Sequence, residues 1–310
     1  MRIGTRASAL ALAQAGTVAE LLGEDTQLVA VTTSGDRDRG GTPTPSGEQD
    51  TQEAQPTQGA QDKERWVKEL ELALLEGEID LALHSAKDVP SVLPEGLELV
   101  GAPRRADPFD ALVGAGSLAQ LTAGARVGTA SLRRAAQLRA LREDLDVVAI
   151  HGNVDTRLRR LAESELDALV LAAAGLVRLG RDQEIGRVLS ELVPAAGQGT
   201  LVLEARADDD TARDAARAIT DPQTWAALRA ERVLVARLQA SCNTPLGAHA
   251  TIGDGEIVLR TFVGLPDGSA WLRDETPPAA TPEQAGELAA QRLLSTGGAE
   301  LLRLAEELAA

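Results

Sequence analysis

The stretch "ARVGTASLRRAAQLRALREDLDVVAI", residues 125–150, decides the fold class. It reads as a short apolar strand, a turn, a helix over 131–142, and a second apolar strand in "DVVAI". The same grammar runs outward in both directions. Downstream come a helix over 153–163, the strand "ALVLAA", a further helical segment and the strand "TLVLEAR". Upstream, "LELVGA" and "DALVG" are strands, and "DLALHS" is a short strand that ends at Asp88-Val89-Pro90, where proline imposes an extended or turn geometry. Apolar strands that alternate with helices indicate an α/β protein with mainly parallel sheets.

The first 33 residues repeat the pattern as strand "MRIGT", helix Ser8 to Leu22 and strand "TQLVAVTT". Residues 34–62 are polar, rich in Pro and Gly, and hold no large apolar side chain. Such a segment cannot bury enough surface to offset its ordering entropy, so the sequence predicts a mobile loop, with a helix resuming at "ERWVKELELALLEGE". At Thr220-Asp221-Pro222 a capping residue precedes proline at the first helical position, which marks a helix start. That helix carries Trp225, Leu228, Val235 and Leu238 on one side and is followed by strands "EIVLRTFVG" and "SAWLRDE" and two amphipathic helices. The change of pattern predicts a separate α+β domain from about residue 220.

At 310 residues, 44% of them hydrophobic, the chain has enough apolar material for two or three domains. The net charge of −16 argues against general nucleic-acid binding, which depends on neutralising phosphates. No apolar run is long enough to span a bilayer, and the N-terminal apolar stretch is bracketed by Arg6 and Gln14. One cysteine allows no internal disulfide. A cytoplasmic protein without membrane or nucleic-acid partners is the expectation.

Three places share a layout of strand, turn, capping residue and nearby arginine: "RIGTRAS" (Arg6, Ser8), "RVGTASLRR" (Ser131, Arg133, Arg134) and "AIHGNVDTR" (Asn153, Arg157). A helix N-terminus already carries positive partial charge, so arginines in a first turn are locally unfavourable unless an anion sits there. Pairing with nearby acids is the alternative. The parallel between Gly4-Thr5…Ser8 and Gly128-Thr129…Ser131 suggests two units built alike, with ligand between them. The lone thiol, Cys242, lies in "ASCNTPLG" among small polar residues, a proline and a glycine. A solitary cysteine is commonly a small buried hydrophobe, yet these neighbours suit a loop.

The segments "TRASALALAQA", "VKELELALLEGEIDLALHSAKDVP", "VGTASLRRAAQL", "GNVDTRL", "PAAGQG" and "CNTPLGAHA" occur in the order found in the hydroxymethylbilane synthase (porphobilinogen deaminase) family. The resemblance runs from residue 2 to about 275 and fails only in 34–62. It implies two lobes like those of type II periplasmic binding proteins, 1–100 with 196–219 and 101–195, plus a third domain over 220–310. It further implies a transferase acting as a monomer without a metal. A dipyrromethane cofactor would be attached to Cys242 through a thioether. Four porphobilinogens would be joined to it with loss of ammonia, and water would release the linear tetrapyrrole.

By motif, Asp88 matches the family's catalytic aspartate, although turn formation before Pro90 would also account for it. Arg6, Ser8, Lys87, Thr129, Ser131, Arg133, Arg134, His151, Arg157 and Gln198 match positions that bind cofactor or substrate. The chemistry agrees, because every pyrrole ring bears acetate and propionate groups, and arginine pairs carboxylates in a planar, permanently charged fork. Each such hydrogen bond contributes roughly 1.5–3 kcal/mol.

This chain departs from the pattern in three places. His151 stands where the family usually has arginine. "DKERW" replaces a glycine-lysine-glycine and phenylalanine segment, so that Lys63 and Trp66 take the lysine and aromatic positions as possible lid contacts, with Trp66 either stacking on a pyrrole or packing in the core. The 34–62 segment is also longer than usual. A solute-binding protein would share the two lobes but leave the thiol unexplained, and a cysteine-dependent acyltransferase would require His249 against Cys242.

Overall fold

The computed structural model describes residues 1–31, 58–241 and 244–309, the side chains of 58–66 and 309 excepted. The fold is built on three sheets. The first has the order β2-β1-β3-β10-β4, formed by β1 (Arg2–Arg6), β2 (Gln27–Val31), β3 (Leu81–Ser85), β4 (Leu97–Gly101) and β10 (Leu201–Arg206). The second has the order β7-β6-β8-β5-β9, from β5 (Asp110–Val113), β6 (Arg126–Gly128), β7 (Asp146–Val148), β8 (Ala168–Ala172) and β9 (Ile185–Leu189).

Both sheets obey one rule. In the first, β1 pairs in parallel with β2 and β3, while β10 runs antiparallel to both β3 and β4. In the second, β6 pairs in parallel with β7 and β8, while β5 runs antiparallel to both β8 and β9. Four strands of each sheet therefore point one way and one is reversed, in the same position of the order. Strand β1 with Gly4-Thr5 and strand β6 with Gly128-Thr129 occupy equivalent places, so the short sequence parallel reflects a shared topology.

Helices cover the sheets: α1 (Ala9–Leu22), α2 (Gln58–Leu75), α3 (Leu132–Leu141), α4 (Val154–Ala162), α5 (Ala173–Arg178) and α6 (Asp210–Ala218). Ser8, Ser131 and Asn153 are the N-caps expected of them, each accepting from the backbone N–H three residues on. Helix α2 begins at Gln58, six residues before the expected Glu64. Beyond Pro56 no proline interrupts the chain, and Ala60, Gln61, Lys63 and Glu64 are good helix formers, so the helix reaches back into the stretch read as loop. The remainder of that stretch, up to residue 57, lies outside the described residues.

The apolar strands pack as their composition requires. Ile3, Leu81, Leu83, Leu201 and Leu203 form the first core with Ala15 and Val18 of α1, and Leu112, Val127, Leu138, Val170 and Leu189 anchor the second. Full burial of such a side chain contributes about 1.5–3 kcal/mol.

The third sheet is the antiparallel meander β11 (Leu246–Gly253), β12 (Glu256–Gly264) and β13 (Trp271–Glu275). It packs against α7 (Pro222–Arg237), α8 (Pro282–Ser295) and α9 (Gly298–Ala309) through Leu234, Leu246, Leu259, Val263 and Leu293. Asp221 caps α7 and Pro222 opens it, as the sequence indicates. Strands β9 and β11 and helix α6 are not apparent in the sequence reading. No helix among the described residues is long and apolar enough to cross a membrane.

Candidate active site

Strand β3 ends in a single tight turn over Ala86–Asp88, and Val89 before Pro90 is extended (φ −85°, ψ 126°). The turn carries Lys87 and Asp88, both half-buried. It is fixed from the opposite strand, where Thr200 O accepts from Ala86 N at 3.0 Å. Gly197 stands at φ +71°, and a Cβ there would meet the Ala86 carbonyl carbon at 2.9 Å. Gly199 stands at φ +84°, with a Cβ position 2.6 Å from Ala106 O. Both glycines are thus required by positive φ and by close approach, and "PAAGQG" threads between the turn and the segment 102–109 that joins β4 to β5.

Gln198, between these glycines, joins the two sheets. Its Oε1 accepts from Lys87 Nζ at 3.4 Å and from Arg134 Nη2 at 3.4 Å, and its Nε2 donates to Asp110 Oδ1 and Pro108 O, both at 2.8 Å. Asp110, fully buried at the start of β5, is the hub. Arg133 Nη1 donates to its Oδ2 at 2.8 Å and Arg134 Nε to its Oδ1 at 2.8 Å. Arg133 also reaches Val193 O, and Arg134 reaches Val170 O. Burial pushes the Asp110 carboxyl up, but the two guanidiniums outweigh it and hold the group far below the usual carboxylate range.

The anion that Arg133 and Arg134 face is therefore an internal carboxylate, the alternative the sequence left open for these two positions. Two guanidiniums share this one acid, which leaves positive charge in excess. Sequence reasoning did not single out Asp110. It opens an apolar strand, where an acid reads as a turn residue, and its partners lie 23, 24 and 88 positions away.

Further cations surround this hub. Arg157 Nε donates to Gly152 O at 2.9 Å, and no carboxylate among the described residues pairs with it. Burial and the neighbouring Arg134 push its guanidinium down to about 10. Arg178, missed in the sequence as an ordinary helix-end basic residue, donates to Gly199 O at 2.7 Å and is likewise lowered by burial. His151 is lowered by burial first, then by Arg157 and Arg160. Thr129 is buried and its Oγ1 accepts from Ser131 N at 3.2 Å, which shapes the turn into α3. Arg6 ends β1 and Ser8 follows it, and the parallel register of β1 with β3 sets them at the same sheet end as Lys87 and Asp88.

Cys242 lies outside the described residues, as do the side chains of Lys63 and Trp66. His249 is buried on β11, edge-on to Phe109 with ring centroids 5.2 Å apart. Its Nδ1 has no hydrogen-bond partner among the described residues.

Desolvated cations gathered at the strand ends of two like-built α/β units, beside a C-terminal sheet-and-helix domain, are suited to a protein that handles small anionic molecules. Residues 1–214 match the family model described as porphobilinogen deaminase, dipyromethane cofactor binding domain, and residues 225–295 match the porphobilinogen deaminase C-terminal domain. The porphobilinogen deaminase of Roseiflexus sp. (strain RS-1) is 45% identical over 97% of each chain, and that of Deinococcus radiodurans is 43% identical over 98% of each. Among solved structures, an ABC transporter periplasmic substrate-binding protein from Coxiella burnetii is similar at 13% identity, covering 73% of this chain and 94% of that one with a TM-score of 0.41.

The chain belongs to the porphobilinogen deaminase family. Its activity is that of a hydroxymethylbilane synthase, a transferase of tetrapyrrole biosynthesis with a dipyrromethane cofactor.

Proposed function

We propose that Asp88 is the reacting carboxylate, that Cys242 tethers the dipyrromethane, and that Arg6, Ser8, Lys87, Thr129, Ser131, Arg134, His151 and Arg157 receive the side-chain carboxylates of cofactor and substrate, with Gln198 holding Lys87 and Arg134 in place. The observation that carries this reading is the Lys87–Gln198–Arg134 bridge beside Asp88, with more guanidinium than carboxylate around it. The residues fit a group rich in carboxylates. Arg157 and Arg178 are desolvated with no acid partner among the described residues. Anionic propionates and acetates supply the missing counter-charge. Arg133, bound by Asp110 and Val193, serves by orienting Asp110 and so Gln198.

When bound, dipyrromethane supplies the terminal pyrrole carbon to which the next ring is joined. Asp88 would stabilise positive charge at the pyrrole nitrogen of porphobilinogen as ammonia departs, and would accept the proton released from the attacking pyrrole carbon once the new carbon–carbon bond has formed. The neighbouring Lys87, held by Gln198 Oε1, binds and orients the side-chain carboxylates, and keeps them from competing with Asp88 for the cation. The chain is further read as a cytoplasmic monomer that acts on porphobilinogen with no nucleic-acid or membrane partner, in keeping with its net charge of −16.

The intact mass of the purified chain, before and after porphobilinogen, tests the tether. An adduct of two porphobilinogen units less two ammonia is expected on the parent and is absent from Cys242→Ser. A bare parent mass after incubation overturns the reading.

A further inference from the structure

Helix α7 runs to Arg237, five residues before Cys242, and one face of it packs on the turn that holds Asp88. Trp225 and Leu228 of α7 form an apolar cluster with Ala86, Val89, Leu93, Leu99 and Val202. One turn further on, at i+4 from Leu228, that face presents an arginine. Arg232 Nη1 donates to Val89 O at 3.3 Å, and its Nη2 donates to Pro90 O at 2.7 Å and Ser91 O at 3.3 Å. One guanidinium thus spans the three carbonyls that follow Asp88.

An apolar residue would serve packing at this position as well or better. Burial lowers Arg232, the usual sign of a cation kept from water at a cost, and Glu204 partly offsets the effect. Glu204, fully buried on β10, accepts or shares the His84 Nε2 proton at 2.9 Å, and His84 lies four residues before Asp88 on β3. The Asp88 segment is therefore held at both ends, by His84–Glu204 on the strand side and by Arg232 on the helix side. The planar fork matters here, because a point-charge ammonium cannot reach three carbonyls at once.

We propose that Arg232 is a positioning residue, which registers the Asp88 turn against the helix that leads to the Cys242 loop. It touches no reacting atom. It fixes where the carboxylate stands relative to α7, and a misplacement of about 1 Å is enough to cost on the order of 100-fold in rate. The inference rests on Asp88 being the reacting carboxylate.

The test compares the full chain with Arg232→Met, Arg232→Lys, Asp88→Asn and, as a control on the exposed face of the same helix, Arg229→Met. Steady-state rates with porphobilinogen, intact mass and hydrogen exchange of peptides covering 86–93 are measured. Arg232→Met is expected to gain the normal adduct, to lose at least tenfold in kcat with KM within twofold, and to exchange the 86–93 amides at least tenfold faster while β11 and β12 peptides are unchanged. Arg232→Lys falls between, and Arg229→Met matches the parent.

Unchanged exchange over 86–93, or unchanged kcat, overturns the proposal. So does faster exchange throughout the chain, which assigns Arg232 a packing role. Should Arg232→Met not fold, the same criteria apply to Arg232→Lys. An active Asp88→Asn sinks the catalytic assignment itself; an inactive Asp88→Asn beside a fully active Arg232→Met sinks this inference alone.

Discussion

His151 sits in the turn before α4, where burial lowers it and the cationic neighbours Arg157 and Arg160 add to that effect. Its imidazole therefore titrates below the ordinary value of about 6.5 and is neutral at pH 7.5. A bound carboxylate favours the protonated ring, so proton uptake accompanies binding and KM for porphobilinogen should fall as pH is lowered from 8 to 6. His151→Arg supplies the charge at every pH and should flatten that slope; superimposable KM profiles for the two proteins would remove His151 from the site. His249 gives the opposite kind of pH effect, on stability. Burial, then Arg105 and Arg260, push it down to about 4 against the pull of Glu231 and Asp107. A histidine lowered in the folded state binds its proton more readily when unfolded. Its stabilising contribution is complete above about pH 6.5 and is lost as pH falls toward 4. Between pH 7.5 and 5 the loss is about 2 kcal/mol for a shift of this size. Urea unfolding of His249→Phe should show that much less loss over the same interval, and equal losses would refute the assignment.

The elements differ in how plainly the sequence announces them, and the reasons are physical. Strand β8 is a continuous apolar run, β3 and β12 carry apolar runs at residues 81–83 and 257–259, and the N-caps Ser8, Ser131, Asn153 and Asp221 sit immediately before their helices, so all of these are local signals. Strand β9, "IGRVL", has an exposed Gly and Arg at its centre, and β11, "LGAHATIG", is built from small residues whose burial comes from packing on α7. Neither has a period to read. The site divides in the same way. The positions that share a turn or cap were legible, whereas Asp110, Glu204 and Arg232 act through partners far away in sequence that only the fold brings together. The "PAAGQG" crossover is where local and distant demands meet, since Gly197 has positive φ and backbone pressed against it. Gly197→Ala adds a Cβ 2.9 Å from the Ala86 carbonyl carbon, in a conformation alanine disfavours. Strain of about 1–3 kcal/mol is expected, together with a kcat loss of tenfold or more, because relief requires the Lys87–Asp88 turn to move. A variant with a lowered melting midpoint and intact kcat would show that the turn tolerates displacement.

At the scale of the molecule, two five-stranded sheets are joined through the segments 102–109 and 190–200, and the third sheet must be held against both crossovers for α7 to face the Asp88 turn. Glu231, fully buried in α7, makes that junction. Its carboxylate accepts from Arg105 Nη1 at 2.7 Å in the first crossover, from Gly197 N at 2.6 Å in the second, and from Ala250 N at 2.8 Å in β11. Arg105 in turn donates through Nε to Gln198 O, which ties the junction to the residue that bridges the two sheets. A buried ion pair of this kind adds little net stability over apolar packing, yet removing one partner leaves the other charge uncompensated and costs about 3–5 kcal/mol. Glu231→Gln keeps the shape, strands the Arg105 guanidinium and turns an acceptor towards donors. The expected result is a lower unfolding midpoint, with the amides of Gly197 and Ala250 exchanging at least tenfold faster while the cores around Leu81 and Leu138 keep their protection. That pattern would mean that the crossovers and the thiol-bearing domain loosen together while each sheet stays folded. Equal acceleration across all three sheets would instead make Glu231 an ordinary contributor to global stability, with no special hold on the junction.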